Sequence, residues 1–175
     1  MMRLRRIHKD DLENIFIIRN IQGIYSQCRQ YAPLHWESHL EWYDWQRKDP
    51  NTEMFVFEDM VSTYSEKPVL VGVCGLTSID WINRRAEFSC YINPTFHKKG
   101  YGTAALEELF DFGFYSLNLN SIWGETFEGN PAYHVFTKKL DMTVEGTRRQ
   151  FYYKDGKYID AHLLSITRSE WEARS

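Results

Sequence analysis

Apolar residues recur along this chain in two rhythms, and the switches between them mark out its elements. A period near two predicts a short strand over Arg3 to Ile7, a second over Met54 to Phe57, and long strands over Val69 to Ile79 and Arg85 to Ile92. The last two are joined around Asp80 to Arg84 as an antiparallel hairpin. Ser121 to Glu125, Thr143 to Tyr153 and Tyr158 to Ile166 complete the strand set, and the Asp155-Gly156 pair between the final two is a strong hairpin signal. A helical period appears after Asp10-Asp11, which is expected to cap a stretch carrying Leu12, Ile15, Phe16 and Ile18.

After Pro33 a second helix is expected over Glu37 to Arg47, with Trp36, Leu40 and Tyr43 on one face and Glu37, Glu41 and Asp44 on another. A third runs from Gly102 to Leu117 and buries Ala105, Leu106, Leu109, Phe110, Gly113 and Leu117. A fourth covers Pro131 to Leu140, and Glu58 to Pro68 reads as a polar loop. The order predicts one α/β domain over residues 1–175, a mixed and mostly antiparallel sheet of about seven strands with about four helices.

Composition trims the functional classes. A net charge of −3 leaves no basic footprint for nucleic acid, and it gives no reason to expect a membrane-surface role. Neither a membrane-span-length apolar run nor the h-region of a signal peptide is present. Cys28, Cys74 and Cys90 are scattered, which fits a reducing cytoplasm rather than a disulfide framework. The six histidines have no metal-ligand spacing, so no metal is expected.

The chemistry concentrates where the fourth strand ends. Tyr91-Ile92-Asn93-Pro94-Thr95-Phe96-His97-Lys98-Lys99-Gly100-Tyr101-Gly102-Thr103 is a strand stopped by proline, a basic turn, and glycines opening a helix. Free N–H groups at that start form an anion site suited to a pyrophosphate, with Lys98 and Lys99 adding charge. Neither the Walker A nor the Rossmann glycine pattern is present. The segment His97-x-x-Gly100-x-Gly102 resembles the coenzyme A pyrophosphate loop of the GCN5-related N-acetyltransferase (GNAT) superfamily, with His97 where Gln or Arg is usual. Arg84-Arg85-Ala86-Glu87-Phe88, Phe112-Gly113-Phe114 and Asn130 with the helix after it resemble the spermidine and ribosomal-protein N-terminal acetyltransferases. Arg19-Asn20 and Glu37-Ser38-His39-Leu40 loosely resemble the amino-sugar N-acetyltransferases of pseudaminic acid synthesis.

That resemblance implies direct acetyl transfer from acetyl-CoA to a primary amine. The acceptor would be an amino sugar linked to a nucleotide, a polyamine, or a protein N-terminus. It also implies splayed central strands, with Tyr91 and Ile92 offering backbone groups to pantetheine, and His97, Lys98, Lys99, Gly100, Tyr101, Gly102 and Thr103 cradling the diphosphate. Asn130 would cap its helix or bond the pantetheine amide.

Glu87, on one face with Ser89 and Tyr91, is the candidate base, or else a structural ion-pair partner of Arg84, Arg85 or a lysine. The family's usual acid tyrosine falls at Thr137, so Tyr133 one turn earlier is the candidate acid. The acceptor is expected between the first two helices and the late hairpin. Glu37 and Glu41 would attract a cation there, or else form a solvated face. The resemblance allows a homodimer. A non-catalytic acetyl-CoA-binding regulatory module is the alternative that Thr137 motivates.

Overall fold

In the computed structural model, which describes residues 2–60 and 68–174, seven strands form one sheet in the order β1-β2-β3-β4-β5-β7-β6. They are β1 (Met2–Arg6), β2 (Glu53–Asp59), β3 (Val69–Asp80), β4 (Arg85–Ile92), β5 (Ser121–Phe127), β6 (Thr143–Lys154) and β7 (Lys157–Thr167). Every neighbouring pair is antiparallel except β4 and β5. The helices are α1 (Leu12–Arg19), α2 (Gln22–Tyr25), α3 (Trp36–Gln46), α4 (Tyr101–Asp111), α5 (Ala132–Lys138) and α6 (Arg168–Glu172).

Both sheet faces are covered, so the central strands are buried on each side. In β2, Phe55 and Phe57 join the larger core with Leu76, Phe88, Leu106, Phe110, Phe114, Ile122 and Trp171. The alternate residues Met54 and Val56 turn the other way and pack with Leu12, Ile15, Tyr43 and Val73 under α1 and α3.

Several local expectations are corrected. Asp11 does not cap α1 through its side chain; a short 3-10 turn, Lys9–Asp11, precedes the helix. Its carboxylate accepts instead from the His8 N–H (2.7 Å) and from both terminal nitrogens of Arg5 (2.7 and 2.8 Å), whose Nε donates to Glu58 (2.8 Å). That network ties β1, β2 and α1 together, and it explains why β2 runs on to Asp59 into the expected loop; residues 61–67 of that loop lie outside the described residues.

The buried stripe of α3 is His39, Tyr43 and Gln46, whereas Trp36 and Leu40 stay over one-third exposed. A polar anchor decides this rotation: His39 Nε2 donates to the Leu12 carbonyl (2.9 Å), and its ring stacks on Trp42. The helix expected to reach Leu117 keeps α-geometry only to Asp111, then loosens into a π turn over Phe112–Ser116. The count exceeds four because α2 and α6 are too short to show a period. At the last hairpin Asp155 and Gly156 both have positive φ, as the favoured two-residue turn demands.

Candidate active site

The sheet opens at its middle. β4 and β5 pair in parallel only through Arg85↔Ser121, Ala86↔Ile122 and Glu87↔Trp123; beyond that point they diverge. A cavity of about 350 Å³ occupies the divergence. Glu87, Ser89 and Tyr91 of β4 line it from one side and Glu125, Thr126 and Phe127 of β5 from the other. Arg19 of α1 and residues 27–30 between α2 and α3 close it over. Asn130, Ala132 and Phe136 reach the same cavity at the start of α5.

At one end of β4 the chain makes the basic turn. Pro94–Phe96 is a 3-10 turn, Lys98 has φ +60° and Gly100 φ +83°, and α4 begins at Tyr101. The α4 start therefore stands where the sequence places it. Its N-cap residue, Gly100, has no side chain with which to cap it. Gly100 sits in open space, with nothing within 4 Å of an added Cβ, so a substitution there would strain the backbone without steric contact. Gly100→Ala is expected to destabilise the fold by about 1–2 kcal/mol, the cost of a left-handed alanine, read as a lowered urea midpoint at constant m.

Around this turn each candidate has a definite place. His97 folds back, its Nε2 donating to the Ile92 carbonyl (2.7 Å), and so closes the turn. Lys99 Nζ donates to the Thr95 carbonyl (3.0 Å), and Tyr101 donates its hydroxyl to Asp59 (2.8 Å). Lys98 is exposed. Gly102 and Thr103 lie in the first turn of α4, where N–H groups have no intrahelical acceptor. Asn130 Oδ1 accepts from the Ala132 N–H (2.9 Å), which is the capping role, while its residue also lines the cavity.

Glu87 pairs with neither Arg84 nor Arg85. Its carboxylate accepts from Arg29 Nη2 (2.5 Å), and Arg85 turns to Asp80. The same Arg29 nitrogen donates to Glu125 (2.7 Å). Glu125, nearly inaccessible, also accepts from the Tyr152 hydroxyl (2.7 Å) and from Arg148. Burial pushes its carboxyl up, but the hydrogen bonds from Tyr152 and Arg29 and the charges of Arg29 and Arg148 outweigh that and hold it below the usual carboxylate range.

Tyr133 packs against the main core with its ring 5.1 Å from that of His162, and it is not part of the cavity wall. The Thr137 hydroxyl is spent on the Tyr133 carbonyl (2.9 Å). Glu37 and Glu41 point to solvent on α3 and do not reach the cavity. Cys90 is half-buried on β4 and lines the cavity, and desolvation pushes its thiol up to about 12; desolvation also raises Cys74, which is fully buried, and Cys28. No three metal-ligating side chains gather among the described residues, and none of their helices is long and apolar enough to cross a membrane.

Sequence reasoning missed Glu125, Arg29 and Arg19. Glu125 left a trace: it is the lone carboxylate in β5, two residues from Trp123 and so on the same face. Arg29 sits in a segment without period, and only folding brings it beside residues 58 and 96 positions away.

Known proteins share this architecture. Residues 2–143 match the family model described as an acetyltransferase (GNAT) domain. A spermidine N(1)-acetyltransferase of Vibrio cholerae is 27% identical over 173 residues, covering 98% of this chain and 96% of the relative. The corresponding Escherichia coli K12 enzyme is 28% identical over 98% of this chain and 89% of its own length. An uncharacterized N-acetyltransferase of Bacillus licheniformis, p20, is 31% identical, but the match spans only 61% of this chain and 60% of the relative. The crystal structure of the Vibrio cholerae spermidine N-acetyltransferase in complex with CoA and spermine superposes with a TM-score of 0.88 at 26% identity, covering 98% of both chains. With four-fifths of its length inside the family model and the same fold throughout, the chain belongs to the GNAT acetyltransferase family and is an N-acetyltransferase that draws its acyl group from acetyl-CoA.

Proposed function

We propose that the chain acetylates a primary amine of a small cationic molecule of the polyamine class, with the reacting nitrogen entering between Glu87 and Glu125. One observation carries this reading: the two carboxylates, at the point where β4 and β5 part, already hold a cationic group between them at 2.5 and 2.7 Å. The names of the spermidine-acetylating relatives point to the same acceptor class.

The chemistry follows from the groups present. An alkyl ammonium has a pKa of roughly 10 and must lose its proton before attack; Glu87 is the group placed to receive it, directly or through water. The acetyl-CoA diphosphate lies on the N–H groups of Gly102 and Thr103 in the first turn of α4, with Lys98 beside it, and pantetheine extends along β4 past Ile92 and Tyr91. Backbone N–H groups of β4 are the oxyanion donors. The leaving thiol has a pKa of roughly 8.5 and departs as thiolate without a strong acid, so the Thr137 substitution does not stop turnover. Tyr133 supplies packing rather than a proton. The three unpaired cysteines are consistent with a cytoplasmic location.

A second reading has its own observation. The Nη1 of Arg19 is buried without a hydrogen-bond partner among the described residues, the guanidinium carbon stands 4.9 Å from the Trp42 ring centre, and Arg19 lines the cavity. An unpartnered buried guanidinium nitrogen suits an anionic group on the acceptor, as in an amino sugar linked to a nucleotide. Thiol release measured with spermidine, spermine, an amino-sugar nucleotide and a peptide N-terminus decides between them. Spermidine is expected to have the highest kcat/KM. A tenfold preference for the sugar nucleotide would transfer the assignment to Arg19, and CoA binding without turnover on any amine would leave a binding module.

A further inference from the structure

The Glu87–Glu125 site is filled by the chain's own cation, and the way Arg29 is delivered there is built rather than incidental. Arg29 belongs to the segment between α2 and α3, which crosses the mouth of the cavity. Lys154, at the end of β6, donates to the carbonyls of Cys28 (2.5 Å) and Gln30 (2.6 Å), the residues on either side of Arg29. Further back, Asn20 and the backbone of Leu34 exchange two hydrogen bonds (2.6 and 3.3 Å) that fix the segment's ends. Between these clamps the Arg29 side chain reaches across the gap and bonds β4 through Glu87, β5 through Glu125 and β6 through the Tyr152 hydroxyl (3.1 Å). About half of that side chain remains exposed, so solvent and a competing cation can reach it.

We infer that Arg29 is a tethered competitor for the acceptor's ammonium seat, so that acceptor binding exchanges one cation for another and Arg29 sets the affinity threshold for cationic amines. The inference rests on the Glu87–Glu125 acceptor reading above. Arg148 and the Tyr152 hydroxyl already occupy Glu125 beside Arg29, so an ammonium seated between the two carboxylates must take the space and the acceptor atoms that the guanidinium holds, and displaces it. A tethered group competes at a fixed effective concentration, and the exposed half of the Arg29 side chain gives the guanidinium water to move into while the ammonium takes its place on the largely shielded carboxylates. The exchange also has a use. With the seat empty, two carboxylates on diverging strands would repel across the gap; Arg29 keeps them neutralised until a substrate cation arrives. A weakly charged amine does not repay the displaced pair, so the threshold favours multiply charged acceptors that keep further contacts at the cavity mouth.

Steady-state kinetics and calorimetry on Arg29→Ala and Arg29→Lys test this. In Arg29→Ala the KM for spermidine is expected to fall about three- to tenfold with kcat held within twofold, and spermidine binding to the CoA-loaded protein to tighten by the same factor. Arg29→Lys, which restores a tethered cation, should return both values toward wild type. A purely structural role would move them the other way, with KM rising or kcat falling. An unchanged or raised KM in Arg29→Ala, with an unaltered melting temperature, overturns the competitor role. The two readings fail separately. If spermidine is acetylated by wild type and Arg29→Ala with equal KM, the acceptor assignment stands and the Arg29 role falls. If the CoA-loaded Arg29→Ala protein binds spermidine more tightly while neither form acetylates it, the competition stands and the polyamine assignment falls.

Discussion

Gly102→Val is expected to leave the protein folded and nearly unable to hold acetyl-CoA. An added Cβ at position 102 would meet only Ile92 Cγ1, at an ordinary 3.6 Å, so the point of attachment of a side chain is unobstructed. Valine is also a better helix former than glycine. The first turn of α4, however, offers main-chain N–H groups that a diphosphate can use only by approaching the backbone closely, and a branched side chain stands in that approach. The Kd for acetyl-CoA should rise about 100-fold, near 2.7 kcal/mol, with a melting temperature within a few degrees of wild type. Calorimetric titration of both proteins checks it. An affinity within twofold of wild type removes the diphosphate from this helix start.

Glu87→Gln is the second large effect. The amide keeps the shape and one acceptor oxygen for Arg29 but cannot take a proton from an ammonium. A drop in kcat of about 100-fold is expected, with the Kd for acetyl-CoA unchanged, since Glu87 lies away from the α4 start on the acceptor side of β4. The distinguishing readout is the pH–rate profile. If Glu87 accepts the proton, its acidic limb vanishes in the variant and the residual rate rises with pH as free amine accumulates. A profile with its acidic limb intact assigns the proton to another group or to bulk water.

The parts of this molecule legible from its sequence are those with local causes. The β3–β4 hairpin, the Asp155-Gly156 turn and the basic turn into α4 each depend on residues a few positions apart, and the strands they join and the start of α4 appear within a residue or two of expectation, whereas the far end of α4 does not. The rotation of α3 was not legible, because the deciding bond runs from His39 to the Leu12 carbonyl 27 residues away.

The site divides the same way. Glu87 announced itself by position in a strand leading to the loop. Its partner did not, since Arg29 and Glu125 meet it only after the sheet has closed around β5 and the α2–α3 segment has been clamped by Lys154.

The buried cysteines carry a practical consequence for assays. Desolvation pushes the Cys90 thiol up from its ordinary range, and Cys74 lies fully buried beside it in the paired strand. Cys28, half-shielded within the segment that crosses the cavity mouth, is likewise shifted away from ionisation. Colorimetric reagents that consume free sulfhydryls would therefore register product coenzyme in a running reaction, with little background colour from the folded enzyme itself.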